Sequence, residues 1–335
     1  MAIHIHRREF ITAAGGVAAA WPLVARAQQQ EQLRRIGVMI ALPEDDPELK
    51  KWIAAFVRGL EKLGWAEGRN IRFDYRFAPA GARATELASE LLALQPDVVV
   101  AFSGPVTLAF QQATHAVPIV FIGIADAIAQ GFVRSLAHPD GNLTGLTMYE
   151  ASVSGKYLSM LKEIDPQLTH AAFVANPKTA PYYEVYLEGA KVAAPSLGIE
   201  PVFIPIENDA ADVERAITRF AHAVPKGGLV VVGDSTTNAH RDLIISLAAQ
   251  YRLPAVYWNA FMVTAGGLMS YGLDWVHEFG QLAFYIDRIL RGAKPGELPV
   301  QAATKFETLL NIKTARALGL TVPAGLLVAA DKVIE

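Results

Sequence analysis

The chain has 335 residues, of which 52% are hydrophobic and 19% are charged, and its formal net charge is −3 at pH 7. This length exceeds the size at which one hydrophobic core usually stops growing, so two lobes of ordinary size are predicted. Without a basic excess the chain is a poor nucleic-acid binder, because neutralising phosphates requires surplus Lys and Arg. The sequence contains no cysteine, which excludes disulfides, thiolate metal sites and a cysteine-linked lipid anchor.

The first 27 residues have the three parts of an export signal. A positive start precedes a weakly apolar run from Ile11 to Val24, and Ala25-Arg26-Ala27 supplies a small-x-small cleavage site. We therefore predict a signal peptide over residues 1–27, cleaved after Ala27, and a periplasmic protein. The pair Arg7-Arg8 favours twin-arginine export, with general secretion as the alternative. The apolar run is shorter than the roughly 20 residues needed to span a bilayer, which disfavours a membrane anchor.

Apolar runs and helical patterns alternate along the next part of the chain. Nearly continuous apolar runs, typical of parallel strands covered on both faces, lie at 36–42, 97–102 and 118–124. An alternating strand is predicted at 71–77. Helices are predicted from residue 48 to Gly64 and over 84–94, and a short helix is predicted to end near residue 115. This order is typical of a parallel sheet flanked by helices.

A second series of the same kind begins near residue 170. Strands predicted at 171–175, 201–206, 229–233 and 254–257 alternate with helices over 182–197, 212–224 and 241–251. The first helix of each half ends in Leu-Gly followed by an apolar residue, at Leu63-Gly64-Trp65 and at Leu197-Gly198-Ile199. The fold class predicted is α/β, with two similar lobes that each contain a parallel sheet.

Three chain crossings are predicted to join the lobes. The segment Asn142–Thr147 is the first. The strand Gly267–Gly272 and the helix from about Val276 to Arg291 return the chain to lobe 1, and Gly292–Thr304 leads it back. The predicted division gives residues 28–147 and 264–303 to lobe 1, and residues 148–263 and 304–335 to lobe 2. Glycines near these crossings would ease hinge bending, although ordinary turns explain them equally well.

The loops that follow the strands hold the candidate ligand-binding residues. In doubly wound sheets the crevice lies beyond the carboxyl ends of the strands, where free backbone N–H groups begin the helices. These loops contain groups that can hold a carboxylate, an ammonium group or a ring. Helix capping and core packing are the alternative roles for such residues. The candidates are Ser103, Gly104, Ala125, Asp126, Asn176, Tyr182, Asp234, Ser235, Asn259 and Tyr271.

Known catalytic motifs fail at particular positions. Ser154-Gly155-Lys156 resembles the end of a phosphate-binding loop, but Glu150 stands where the first glycine of that loop is required. His277-Glu278 lacks the second histidine of a zinc protease helix, since Gln281 occupies its position. We therefore predict a binding protein with no catalytic residues, metal ions or cofactors. A hydrolase whose Ser-His-Asp triad is hidden by sequence order is the less favoured alternative.

Five segments resemble the substrate-binding proteins of ATP-binding-cassette (ABC) importers, specifically those of the tryptophan/tyrosine type. They are PIVFIGIAD at 118–126, QGFVRSLAHPDGNLTG at 130–145, GGLMSYG at 266–272, DRILRGAKP at 287–295 and KFETLLN at 305–311. One departure is Asp126-Ala127, where the family commonly has Asp-Pro. The resemblance implies a type I periplasmic-binding-protein fold, whose two lobes are joined by a three-strand hinge and close on a small-molecule ligand.

The resemblance also implies a membrane permease as partner, with ATP hydrolysed on a separate subunit. A membrane receptor or sensor is the alternative partner, since the same closed state can be presented to either. The protein is expected to act as a monomer. The predicted ligand is an amino acid, aromatic or otherwise, or a similar small zwitterion, with Asp234 or Asp126 near its ammonium group. Ser103 and helix N-termini are expected near its carboxylate, and an aromatic ring near its side chain.

Overall fold

The computed structural model describes residues 33–148 and 152–335. The predicted export signal, residues 1–27, lies outside these residues. Within them, no helix has both the length and the apolar character needed to cross a membrane.

Strands and helices alternate along most of the described chain. The strands are β1 (Arg34–Ile40), β2 (Ile71–Phe77), β3 (Val98–Phe102), β4 (Ile119–Ile124), β5 (Leu143–Thr147), β6 (His170–Ala175), β7 (Glu200–Pro205), β8 (Gly227–Val231), β9 (Ala255–Tyr257), β10 (Met269–Leu273), β11 (Gln301–Ala302), β12 (Phe306–Asn311) and β13 (Lys332–Ile334). The helices are α1 (Pro47–Lys62), α2 (Ala84–Ala93), α3 (Gly104–Ala113), α4 (Ser152–Ile164), α5 (Tyr183–Leu197), α6 (Ala210–Ala223), α7 (Ser235–Ala239), α8 (Arg241–Gln250), α9 (Ala260–Thr264), α10 (Trp275–Leu290), α11 (Ile312–Leu318) and α12 (Ala324–Ala329).

The strands form two sheets, as the sequence predicts. The first has six strands in the order β11-β5-β4-β3-β1-β2, all paired in parallel. The second has seven strands in the order β13-β12-β10-β9-β8-β6-β7, and only its β10–β12 pair, among the described strands, is antiparallel. The predicted α/β fold with two helix-flanked sheets is confirmed, and the antiparallel pair is an addition to it.

The strand near residue 270 belongs to the second sheet and not to the first. β10 pairs with β9 through Met269 and Ser270, and with β12 along its whole length. The prediction that Gly267–Gly272 returns the chain to lobe 1 is therefore wrong, because its backbone hydrogen bonds are made within the second sheet. The return comes one element later, where α10 packs on α1, and a Cβ added at Gly59 would lie 2.8 Å from the Cβ of Ala283.

The three crossings run side by side at the hinge. The first leaves β5 at Thr147, whose carbonyl accepts a hydrogen bond of 2.8 Å from the Ala303 N–H of the third crossing. The second runs through Asp274, whose N–H donates to the Lys305 carbonyl of the third crossing at 3.0 Å. Lys305 Nζ also lies 2.8 Å from Asp274 Oδ2. The hinge is thus a narrow band in which the first and second crossings each hydrogen-bond to the third.

Gly272 allows β10 to pass the backbone that follows β9. A Cβ at this position would lie 1.9 Å from the carbonyl oxygen of Trp258, and that oxygen cannot move without distorting the strand end. We predict that Gly272→Ala lowers the thermal unfolding midpoint by about 5 °C or more. The matched control is Gly280→Ala, where the added Cβ meets nothing within 4 Å. The control should unfold at or above the wild-type temperature in calorimetry, and equal losses in both variants would contradict the steric explanation.

Candidate ligand-binding cleft

A small cavity lies between the carboxyl ends of the two sheets. The carboxyl ends of β3 and β4 and the loops after β1, β3 and β5 line it from one side, loops after β6, β8 and β9 line it from the other, and the start of α10 adds Trp275. The cavity volume is about 30 Å³, which is less than an amino acid occupies, so a ligand of that size enters only if the walls move. The lining residues are Ala41, Phe102, Ser103, Gly104, Pro105, Gly123, Met148, Thr179, Tyr182, Gly233, Asp234, Ser235, Asn238, Trp258 and Trp275.

Polar atoms without partners are concentrated around this cavity. Five lining residues bury a side-chain nitrogen or oxygen that has no hydrogen-bond partner: Ser103 Oγ, Ser235 Oγ, Asn238 Oδ1, Trp258 Nε1 and Trp275 Nε1. Buried polar groups in folded proteins are nearly always paired, because an unpaired group loses its hydration without compensation. The cleft therefore presents two N–H donors, one carbonyl acceptor and two hydroxyls ready to pair with a polar ligand.

Ser103 has a strained backbone at the start of α3. Its φ is 99° and its ψ is 158°, a region that residues with a side chain rarely adopt. The conformation is held by hydrogen bonds on both sides: the Ser103 N–H donates to the Ile122 carbonyl at 3.0 Å, and the Ser103 carbonyl accepts from the Thr107 N–H at 3.0 Å. Gly104 follows at the first helical position. Ser103, Gly104 and Pro105 all line the cavity, so the start of α3 lies at the cleft.

Asp234 is a buried carboxylate held by its own loop network. Its Oδ1 accepts hydrogen bonds from the N–H groups of Thr236 and Thr237 and, at 3.1 Å, from the Thr179 hydroxyl. Its Oδ2 accepts one, from the Asn176 N–H at 3.2 Å, which leaves that oxygen with acceptor capacity. Burial raises the pKa of Asp234 to about 6, although these donors stabilise the charged form and oppose the shift.

Aromatic rings form the apolar walls of the cavity. The rings of Trp258 and Trp275 meet edge to face, with centroids 5.8 Å apart. Trp275 also stacks on Trp52 of α1 at 5.3 Å and meets Phe102 at 5.3 Å, so its indole is fixed from several sides. Opposite them, the Tyr182 hydroxyl donates to the Gly233 carbonyl. These rings offer flat apolar faces, which suit the binding of a planar group.

Five of the ten sequence candidates line the cavity. Ser103 and Gly104 come from the loop after β3, Tyr182 lies just before α5, and Asp234 and Ser235 begin α7.

The other five candidates are placed elsewhere, each in a structural role. The Asp126 carboxylate caps its own turn, accepting from the N–H groups of Ile128 at 3.0 Å and Ala129 at 2.9 Å. The Asn259 side chain accepts from the Phe261 N–H and caps α9. The remaining three support the fold: Ala125 accepts from the Thr147 hydroxyl, Asn176 bonds Asp234 and Thr236, and the Tyr271 ring stacks on Phe306.

Several lining residues were not among the candidates. Trp258 directly precedes the candidate Asn259, and Asn238 lies in α7, which begins at the candidate Ser235. Their position beside these candidates is the available signal. Trp275 is separated from β10 by Asp274 and begins a strongly apolar helix, a pattern that also predicts core packing. Its burial, with 3% of its surface exposed, agrees with core packing, and only the unpartnered Nε1 marks it as part of the cleft.

The unpartnered hydroxyls should lower the stability of the protein. We predict that Ser103→Ala and Ser235→Ala raise the free energy of unfolding by up to about 1 kcal/mol, because each removes a buried group that has no partner. The matched control is Thr237→Val, which removes a buried hydroxyl that donates to the Val232 carbonyl at 2.7 Å. The control should lose about 1–3 kcal/mol in urea unfolding. Destabilisation by the serine variants would show that their hydroxyls are already paired.

The raised pKa of Asp234 predicts a pH dependence of stability. Its folded value of about 6 exceeds the unfolded value of roughly 3.9, so the folded state holds the proton more tightly. This contribution to stability is complete below about pH 4 and is lost as the pH rises to about 6, a change of about 3 kcal/mol. Urea unfolding of the wild type and of Asp234→Asn across this pH range measures this contribution, as the difference between the two free energies of unfolding at each pH.

The comparison with Asp234→Asn also separates Asp234 from Glu278. Burial raises the pKa of Glu278 to about 7, but Glu278 is present in both proteins and its titration cancels. Parallel pH profiles for the wild type and Asp234→Asn would contradict the assignment to Asp234.

Comparison with known sequences places the chain in a family. The family described as ABC transporter substrate binding protein matches residues 36–334. A tyrosine-binding protein of Clostridioides difficile (strain R20291) is 25% identical over 280 residues, which are 82% of this chain and 79% of that protein.

Two solved structures share the fold across nearly the whole chain. The ABC domain in complex with L-Trp from Streptococcus pneumoniae has a TM-score of 0.83 at 22% identity and covers 90% of this chain and 100% of that chain. The ligand-free, open structure of a substrate binding protein with adhesive properties from Clostridium difficile has a TM-score of 0.67 at 23% identity and covers 90% and 99%. The predicted family is confirmed: the chain belongs to the ABC transporter substrate binding proteins.

Proposed function

We propose that the protein captures an amino acid with an aromatic side chain between its two lobes and delivers it to the permease of an ABC importer. The observation that carries this proposal is the ring of five unpartnered polar atoms, contributed from both sides of one aromatic-walled cavity. A relative named as a tyrosine-binding protein and a similar fold in complex with L-Trp support the same ligand class.

The chemistry of the cleft fits a zwitterion that spans it. The acceptors that can hold an ammonium group, Asp234 Oδ2 and Asn238 Oδ1, both lie on the loop and helix after β8. The donors that can hold a carboxylate are the Ser103 hydroxyl and the α3 N-terminus on the opposite side, with the Trp275 N–H at the hinge. A ligand with both charges bridges the two sides, and bridging is what favours closure.

The ligand side chain is assigned to the tryptophan walls. Trp258 and Trp275 offer ring faces and edges, and an aromatic ligand gains from stacking beyond the area that it buries. The TM-score is 0.83 with the L-Trp complex and 0.67 with the open, ligand-free structure, which supports a lobe arrangement near that of a liganded relative.

We further propose that, of the described residues, lobe 1 comprises 33–148 and 275–303 and lobe 2 comprises 152–274 and 304–335, so that each lobe keeps its own sheet. We also propose an export signal at 1–27 and a periplasmic location, since an importer's binding protein works outside the cytoplasmic membrane. We propose that the protein acts there as a monomer. Its ligand is released chemically unchanged.

Titration calorimetry with chain 28–335 tests the ligand. L-tryptophan or L-tyrosine should bind, whereas tryptamine or tyramine, which lack the carboxylate, and 3-phenylpropionate, which lacks the ammonium group, should bind at least about 100-fold more weakly. The Trp275→Phe variant should lose about tenfold in affinity, because the Trp275 N–H then no longer reaches the ligand.

The matched control for this experiment is Trp65→Phe, since Trp65 Nε1 donates to Asp287 Oδ1 at 2.8 Å away from the cleft. The control should bind as the wild type does. The proposed ligand would be wrong if neither L-tryptophan nor L-tyrosine gave a binding signal, or if tryptamine and tyramine bound as tightly as the amino acids.

A further inference from the structure

One ion pair joins the two lobes at the cleft. Arg241 Nη1, at the start of α8, lies 2.9 Å from Asp46 Oδ2, in the loop before α1. Of the ion pairs between described residues, it is the one that links a residue of lobe 1 to a residue of lobe 2. The Lys305–Asp274 pair lies within the hinge, and the others connect residues of the same lobe.

Each partner is held in position by its own lobe. Asp46 Oδ1 caps α1 by accepting from the N–H groups of Glu48 at 2.9 Å and Leu49 at 3.3 Å, which leaves Oδ2 for the arginine. The Arg241 guanidinium lies over the Phe261 ring, 5.4 Å from its centroid. Because both groups are oriented before they meet, forming the pair requires little loss of side-chain freedom.

The pair is largely shielded from water and lies beside the cavity without lining it. The Asp46 side chain is 6% exposed and that of Arg241 is 28% exposed. Arg241 is separated by His240 alone from α7, which supplies Ser235 and Asn238 to the cavity, and Asp46 lies in the loop that follows Ala41. Phe261, which supports Arg241, also meets Trp52 of lobe 1 at 6.3 Å. Charged and aromatic contacts between the lobes thus lie together at the cleft.

We propose that the Asp46–Arg241 pair is a latch that holds the two lobes together over the ligand. The pair does not touch the ligand, but it sets the rate at which the ligand dissociates. The ligand part of this inference rests on the proposed function. Opening the cleft must separate the two charges, so the pair stabilises the closed arrangement relative to the open one. Apparent affinity scales with the fraction of molecules in the binding-competent arrangement, so loss of the latch lowers affinity at a distance. Asp46 and Arg241 are positioning residues.

Two variants remove the latch while keeping the fold. Asp46→Asn keeps a side-chain oxygen to cap α1 but loses the charge, and Arg241→Ala removes the guanidinium. The matched control is Arg34→Ala, which breaks a 2.7 Å ion pair with Asp97 inside lobe 1. Thermal unfolding of all three should lie close to that of the wild type, which establishes that the variants are folded.

The first readout is the distance between the lobes without any ligand. The chain has no cysteine, so Ser89→Cys on lobe 1 and Gln250→Cys on lobe 2 accept spin labels only at those two exposed positions. Asp46→Asn and Arg241→Ala should broaden and lengthen the distance distribution, whereas Arg34→Ala should leave it as in the wild type. Identical distributions in the wild type and both latch variants would overturn the latch. This readout stands even if neither amino acid binds, so the two proposals can fail separately.

The second readout is the rate of release of L-tryptophan or L-tyrosine by stopped-flow fluorescence. The dissociation rate should rise about fivefold in each latch variant with little change in the association rate. The double variant should be no faster than the single ones, because both remove the same interaction. Additive effects, or an equal rise in Arg34→Ala, would contradict a paired latch.

Discussion

Parallel strand pairing is the constraint on which the cleft depends. In each sheet, parallel pairing gathers the carboxyl ends of neighbouring strands and the free N–H groups of the helices that follow them at one edge. The three crossings at the hinge turn these two edges toward each other. Ser103 and Asp234 are far apart in sequence, but they occupy equivalent positions at the ends of β3 and β8, so the fold brings them to one cavity.

The cleft is maintained at the expense of stability. Ser103 holds an unfavourable φ of 99°, Asp234 is charged at neutral pH despite its burial, and the indoles of Trp258 and Trp275 bury N–H groups without partners. None of these features stabilises the protein by itself. They persist because the surrounding strands, helix caps and aromatic packing fix them, which is the expected arrangement for a preorganised binding site.

Sequence patterns located the elements better than the site. β2 was predicted with its observed bounds because its alternation and flanking turns are unambiguous, but β10 was assigned to the wrong sheet because a short Gly-rich strand carries no signal for its pairing partner. Asp126 and Asp234 look alike in sequence, each following a buried strand. One caps an exposed turn and the other enters the cavity, a difference that only the three-dimensional path of the loops decides. Unpartnered atoms such as Trp275 Nε1 leave no trace in sequence.

The hinge has a mechanical consequence. The first crossing bonds the third through Thr147 and Ala303, and the second bonds the third through Asp274 and Lys305, so the hinge forms a line and not a point. A body attached along a line can rotate about it but cannot slide or twist freely, so the movement of one lobe relative to the other reduces to one angle. Every residue on the outer faces then shifts in proportion to that angle. A partner that contacts only those outer faces can distinguish one angle between the lobes from another, and hence a filled cavity from an empty one, without reaching the cavity.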